Sequence, residues 1–385
     1  MPEPRGFATA EYAARTAAAQ AMMAAEGLAA LLLTTEPEVR YFSGFLTPFW
    51  QSPTRPWFLV LPAQGRPVAV IPEIGAVAMA ATWVEDVRTW PSPRPQDEGV
   101  SLLADCLRER AGRGARIGVP QGAETHLRMP LADWHRLQGL LPGIAFADAT
   151  AIVRELRMVK SAAEIAKIGH VCSLVSDVFE SLPGLLRPGM SEIEIFRLFR
   201  RACLERGADE VPYLVGGAGP GGYGDIISPP RDRPVGAGDL LILDTGAVHD
   251  GYFCDFDRNY AFGDVGDAAR RAYGIVHEAV EAGFAAARPG ACCADLFHAM
   301  QAVLGTSGSA VGRMGHGLGM QLTEWPSNTA EDCTVLRPGM VLTLEPGLEF
   351  APGRMMVHEE NIVIEAGGPR WLTRRAPAEL PAIGG

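Results

Sequence analysis

The chain has 385 residues, 48% of them hydrophobic and 21% charged, and carries a formal net charge of -11. At roughly 100 to 200 residues per domain this length implies two or three units, and the composition is that of a globular protein with ample material to bury. The acidic balance excludes a phosphate-backbone partner, because Lys160 and Lys167 are the only lysines and no basic cluster offers counter-charge.

Residues 9 to 26 are Ala-rich, with Glu11, Arg15 and Glu26 spaced for a solvated face, and Gly27 closes this helix before the apolar run from Leu28 to Leu33. Tyr41 to Phe45, Trp57 to Leu61 and Pro67 to Ile71 read as further strands, and Ser101 to Arg110 as an amphipathic helix. These elements form an α/β unit assigned to residues 1–152, with a second domain at 153–385. The segment LTPFWQSPTRPW reads in two ways: as a loop pinned by Phe49, Trp50 and Trp57, or as an aromatic flap that reaches an active site, its own or a neighbour's. No apolar run approaches the ~20 residues of a membrane span, and the first residues lack a signal-peptide pattern, so a cytoplasmic location is expected. Seven cysteines, without a C-x-x-C pair, read as reduced core residues.

From Ser161 the chain reads as helical, with capping boxes at Ser161/Glu164 and Ser191/Glu194 and a break at Arg187-Pro188-Gly189. The stretch VGGAGPGGYG contains a formal G-x-G-x-x-G. The next ten residues, DIISPPRDRP, cannot supply the helix that a dinucleotide site needs, so the glycines read as places of close backbone approach.

An apolar run from Leu240 to Leu243 then delivers Asp244 at a strand end, where Gly246 allows a turn, and Asp255 and Asp257 come after a second short run. GMVLTLEPG repeats this sentence 101 residues later, with Glu345 in the place of Asp244. Arg187-Pro188-Gly189 and Arg288-Pro289-Gly290, and Glu194-Ile195-Phe196 and Asp295-Leu296-Phe297, hold the same offset. The region therefore reads as two superimposable α+β halves whose pseudo-twofold axis brings Asp244 and Glu345 together.

The acids expected at strand ends are Asp244, Asp255, Asp257, Glu345, Glu359 and Glu360, with His316 between two glycines close by in sequence. Converging carboxylates repel, and some stay protonated unless cations intervene. Two divalent ions per chain balance four carboxylates. An oxygen-rich shell with one imidazole suits Mn²⁺, Fe²⁺ or Co²⁺, with Zn²⁺ a further candidate. Such a centre is equipment for amide hydrolysis. The competing reading is that the acids cap turns and pair with arginines.

D-x-G with Asp244 and then Asp255, G-H-G-L-G with His316, L-E-P-G with Glu345 and E-x-N-I-V-I with Glu359 together resemble the five-ligand pattern of the pita-bread metallopeptidases. YFSGF and ELRMVKSAAEI resemble the N-domain and linker of that family's prolidase, aminopeptidase P and creatinase branch. The resemblance implies a pita-bread catalytic domain after a creatinase-type α/β domain, and metal ligands at Asp244, Asp255, His316, Glu345 and Glu359. It also implies a small-molecule or short-peptide substrate of Xaa-Pro type, and a homodimer whose partner presents Trp50, Arg55 or Trp57. Asp257 stands where the family usually carries Thr. Thr323 takes the place of a second histidine, Tyr223 lies where an upstream histidine is absent, and Val357 replaces a prolidase-type arginine.

The expected catalytic residues are accordingly Glu345, Glu324 and Thr323. Glu324 reads either as a proton-transfer group or grip for a cationic group, or as the partner of an arginine. Trp325, Tyr223, Arg354, Trp50 and Trp57 are expected to bind substrate, and a substrate carboxylate would have to find Arg354, Arg313 or Arg231. The alternatives are a creatinase-like hydrolase or lyase on the same fold, and a binding relative without turnover.

Overall fold

The computed structural model describes residues 4–305 and 312–383. The chain forms two compact units, Arg5–Arg157 and one that comprises Met158–Gly385 with Met1–Pro4. The division falls near the end of the helix Thr150–Met158, a few residues after the boundary read from the sequence.

In the first unit a six-stranded mixed sheet runs in the order Asp86–Trp90, Val68–Pro72, Phe58–Pro62, Ala30–Leu33, Arg116–Val119, Ala145–Asp148. The helix Val100–Ala111 packs Leu103 and Leu107 against Leu32, Phe58, Val60 and Val70. The run expected as a strand at Tyr41 to Phe45 is instead the end of a helix, Glu36–Ser43. Pro37 opens its first turn, Val39 and Phe42 fall three apart on one fully buried face, and Gly44 stops it at φ 77°. A three-residue apolar spacing overrode the local strand composition.

The aromatic segment has an internal role in this unit. Trp57, 1% exposed, packs its ring 5.1 Å from Phe45 and 6.1 Å from Trp50. Arg128 donates to the carbonyls of Trp50 and Arg55, both at 3.3 Å, and to those of Phe49 and Ser52. One guanidinium thereby collects carbonyls that the loop cannot pair internally.

The second unit realises the duplication almost residue for residue. The helices Glu192–Glu205 and Cys293–Leu304 begin 101 apart, each on a capping box, Ser191/Glu194 and Cys292/Asp295. Gly189 and Gly290 both sit at φ 91°, and their amides bond Val235 and Leu336, again 101 apart. One half builds a sheet in the order Ala382–Ile383, Phe256–Phe262, Asp239–His249, Glu210–Pro220; the other orders Glu324–Ser327, His316–Gly317, Val341–Leu344, Glu360–Glu365, Gly368–Trp371. The helix Asp267–Ala286 contributes Val276 and Val280 to a core shared with Leu240, Ile242, Leu342, Leu344 and Ile362. Arg258 Nη1 donates to the Glu359 carbonyl at 3.2 Å, one duplicated position bonding its own counterpart across the two halves.

Candidate metal centre

Strand geometry places the acids. Asp244 and Asp257 are direct partners in the antiparallel pairing of Asp239–His249 with Phe256–Phe262, so their side chains share one face. Asp244 is not at a strand end as expected, since the strand continues to His249. Gly246 serves there for close packing rather than a turn: a Cβ would stand 2.1 Å from Leu322 Cδ1. Glu345 does stand directly after its strand, Val341–Leu344, and its amide donates to the Met314 carbonyl at 3.1 Å. Asp255 and Glu359 each precede a strand. Asn361 ties them together, its Oδ1 accepting from the Asp255 amide at 3.0 Å and its Nδ2 donating to the Asp255 carbonyl.

His316 is 3% exposed, and its amide donates to Thr343 Oγ1 at 3.1 Å. Its Nδ1 lies 2.9 Å from the Gly317 carbonyl, which accepts only from a protonated Nδ1 and so leaves the Nε2 lone pair free, 3.4 Å from Asp255 Oδ2. The flanking glycines are a steric requirement. A Cβ at Gly315, where φ is 123°, would stand 2.2 Å from the Thr343 carbonyl oxygen, and one at Gly317 would stand 2.4 Å from that of Trp325.

Asp255, His316 and Glu359, all buried, offer ligand atoms within 4.8 Å of one another. Asp244 Oδ1 and Glu359 Oε1 are buried without a hydrogen-bond partner, an arrangement that costs free energy unless a cation completes it. Burial, and then the charge of neighbouring carboxylates, raises the pKa of Asp244, Asp255 and Glu359 well above the usual range. Burial pushes Glu345 up to about 7, with Arg313 opposing, and pushes His316 down to about 4, with Arg313 adding to the effect. Four crowded acids that hold protons in the absence of cations, beside an imidazole kept neutral, are a donor set that fits two divalent ions.

The remaining acids are differently engaged. Glu360 meets Arg258 Nη2 at 3.0 Å and Arg375 Nη1 at 2.9 Å; burial alone would raise its carboxyl, but Arg258, His358 and Arg375 hold it low. Asp257 turns Oδ1 toward His358 Nδ1, 3.6 Å away, and lies outside the trio that brings its ligand atoms together.

Of the other expected residues, Glu324 is buried and pairs with a lysine, Lys160, at 3.1 Å, rather than with an arginine. Thr323 is exposed and accepts from Arg313 Nη2 at 3.4 Å. Trp325 packs half-buried against the core. Tyr223 is 3% exposed, and its hydroxyl donates to Asn259 Oδ1 at 2.8 Å and accepts from the Val357 amide at 3.0 Å, so it ties two strands together. Arg354 is exposed beside the backbone of Gly221 and Gly222, and Arg231 pairs with Glu192 at 2.8 Å. Trp50 and Trp57 are buried in the interior of the first unit.

Sequence reasoning missed Tyr213, whose hydroxyl donates to Asp244 Oδ2 at 3.3 Å, and the tie that Asn361 makes to Asp255. The first contact arises from strand pairing within one sheet and the second from the meeting of two sheets, and neither leaves a local signal. The strand Glu210–Pro220 carries the first part of the glycine-rich segment, through Gly219, and no helix comes after it before the next strand, in keeping with the rejected nucleotide reading.

The model of the metallopeptidase family M24 matches residues 166–366, and that of the creatinase/prolidase N-terminal domain matches 15–159. The probable dipeptidase PepE of Mycobacterium tuberculosis is 32% identical over 387 residues, covering 98% of both chains. The crystal structure of dipeptidase PepE from Mycobacterium ulcerans superposes with a TM-score of 0.84 at 31% identity, over 98% of this chain and 99% of that one. Prolidase from Thermococcus sibiricus shares the fold, with a TM-score of 0.87 at 23% identity over 98% and 100% of the two chains. The duplicated half is thus the pita-bread fold behind a creatinase-type N-terminal domain, and the chain belongs to metallopeptidase family M24 as a peptidase-type hydrolase.

Proposed function

We propose that this chain is a dinuclear metal-dependent dipeptidase that hydrolyses the C–N bond of short peptides, with Xaa-Pro dipeptides the foremost substrates. The observation that carries this reading is the convergence of Asp255, His316 and Glu359, with Asp244 and Glu345 electrostatically coupled to them. It is supported by full-length relatives at 31% and 32% identity that are named dipeptidases.

Asp244, Asp255, His316, Glu345 and Glu359 would hold the two ions, Mn²⁺ foremost, with Fe²⁺, Co²⁺ or Zn²⁺ alternatives that suit the same donors. Bound there, the ions supply Lewis acidity toward the scissile carbonyl and toward water. The chain's own groups prepare the rest. Tyr213 steadies Asp244 through Oδ2, Asn361 fixes the backbone of Asp255, and the Gly317 carbonyl holds the His316 tautomer that presents Nε2. Glu345, directly after its strand with its amide held by the Met314 carbonyl at 3.1 Å, would take a proton from the attacking water and return it to the leaving nitrogen. Glu324, neutralised by Lys160, shapes the wall beside His316.

The test is elemental analysis after reconstitution with Mn²⁺, with close to two ions per chain expected, and then hydrolysis of a dipeptide panel that includes Ala-Pro and Ala-Ala. A chain that holds no metal, or that cleaves no dipeptide when loaded, refutes the reading. A homodimer belongs to the same proposal, and light scattering of the active protein checks it.

A further inference from the structure

The first unit carries a cavity of about 510 Å³ that shares no residue with the metal centre. Three segments wall it: the aromatic loop around Arg55, the turn before the helix Val100–Ala111, and the start of the helix Leu131–Leu140. A space of this size falls within the roughly 300 to 1,000 Å³ of small-molecule sites, and five prolines give it rigid apolar walls without backbone donors.

The charged groups of the lining are Arg55, Arg128, Glu98 and Asp133, which sum to zero. Two of them are used up by the fold. Arg128 donates to the carbonyls of Phe49, Trp50, Ser52 and Arg55, and Glu98 accepts from Trp90 Nε1 at 3.0 Å, Ser92 Oγ at 2.8 Å and the Arg94 amide. The other two are open. Among the described residues the Arg55 guanidinium has neither a hydrogen bond nor a carboxylate within ion-pair distance, and it lies over the Phe49 ring, 5.3 Å from its centroid. Asp133, half-buried at the start of its helix, likewise has no hydrogen bond or ion pair, and burial raises its carboxyl above its ordinary value. An open cation and an open anion in one apolar cavity have given up hydration without pairing, which favours a guest that meets both. Backbone conformation marks the same arginine. Arg55 sits at φ 58°, in the left-handed region that a residue with a Cβ enters at a cost, where glycine would be relaxed.

We propose that this cavity binds a free α-amino acid with an apolar side chain, Arg55 taking its carboxylate and Asp133 its ammonium. Charge selects this class. A dianion such as phosphate would face Asp133 and Glu98, and a bare cation would face two guanidiniums; a zwitterion meets both poles and leaves the cavity neutral. The guanidinium takes a carboxylate through parallel N–H···O bonds, an ammonium brings three donors to Asp133, and the prolines receive the side chain. The site is one of recognition alone, with no bond made or broken. It goes beyond the dipeptidase reading and does not depend on it.

The test is calorimetry on the Mn²⁺-loaded full chain with L-leucine, with isopentylamine, which lacks the carboxylate, and with isocaproate, which lacks the ammonium. L-leucine should bind at one site per chain, and loss of either charge should weaken binding by about 10-fold or more, the worth of one charged hydrogen bond. The variants assign the poles. Arg55→Met should lose the discrimination against isopentylamine and keep that against isocaproate, and Asp133→Asn should do the reverse; a role confined to folding would shift all three probes alike. Arg55→Gly should lose L-leucine binding while its melting temperature stays level or rises, because the left-handed backbone is relaxed. Asp255→Asn, which disables the metal centre, should leave the L-leucine site intact. Wild type that binds no L-leucine overturns the proposal. So does binding that survives Arg55→Met and Asp133→Asn but vanishes in Asp255→Asn, which places the amino acid at the metal centre. A cavity silent to all three probes, in a protein that Arg55→Gly converts from dimer to monomer in light scattering, is covered by a second copy of the chain, and the proposal falls.

Discussion

Glu345→Gln in the metal-free protein isolates the electrostatic cost of building this site. Burial raises the Glu345 carboxyl from its ordinary 4.5 to about 7, so the folded chain binds this proton more tightly than the unfolded chain does. A group raised in this way contributes stability that is fully present below about pH 4.5 and lost as the pH climbs through about 7. The difference is worth about 3 kcal/mol. His316 acts in the opposite direction. Its pKa is depressed from 6.5 to about 4, so its contribution is present above 6.5 and declines as the pH falls toward 4. Because the two partly cancel in wild type, the informative quantity is the difference between wild type and Glu345→Gln, in which the histidine is common to both. Urea unfolding of both chelator-stripped proteins at pH values from 5 to 8 should show wild type losing about 2.5 kcal/mol relative to the variant as the pH rises, the part of the linkage that falls in this window. Reloading Mn²⁺ should reverse the trend for wild type and do little for the variant, which lacks a ligand. A difference that stays flat from pH 5 to 8, or grows in favour of wild type, refutes the claim that Glu345 holds a proton in the metal-free site.

The same geometry sets other outcomes. His316→Ala and Asp255→Asn should each cut bound metal to one ion per chain or fewer, while limited proteolysis still yields an intact N-terminal unit. Lys160→Met removes the cation 3.1 Å from buried Glu324 and should destabilise the fold by about 3 kcal/mol in urea; the double variant Lys160→Met/Glu324→Leu should recover most of that loss, and failure to recover would deny the coupling. Gly315→Ala forces a Cβ to within 2.2 Å of the Thr343 carbonyl oxygen at a φ of 123°, so metal content measured by elemental analysis should drop although no ligand has been changed. Ser191→Ala deletes one side of a capping box and should cost about 1 kcal/mol in thermal unfolding with metal content unchanged.

Features written in local order were legible from the residues alone. Capping boxes at Ser161 and Ser191, glycine stops and the 101-residue echo are each encoded within a few neighbours, because helix ends and turns are settled by nearby hydrogen bonds and backbone conformation. The duplication then paired Asp244 with Glu345, and the family resemblance supplied the rest of the set, although not their places on the strands: Asp244 proved to lie within a continuous strand. Features that depend on distant pairing had to wait for the folded chain. Glu324 could not be matched to Lys160, 164 positions away, because an ion pair has no periodicity to betray it. Tyr213 meets Asp244 only through strand register, and Asp257 found His358 only once two strands were brought together. The sequence does not choose between a pinned loop and a reaching flap for Trp57 until Phe45 and Trp50 are seen to close over it, and the helix at Glu36–Ser43 prevailed over strand-like composition because its apolar side chains could be buried on a single face. Burial free energy is settled by neighbours in space, and these neighbours lie anywhere from a handful to more than a hundred positions away in the chain.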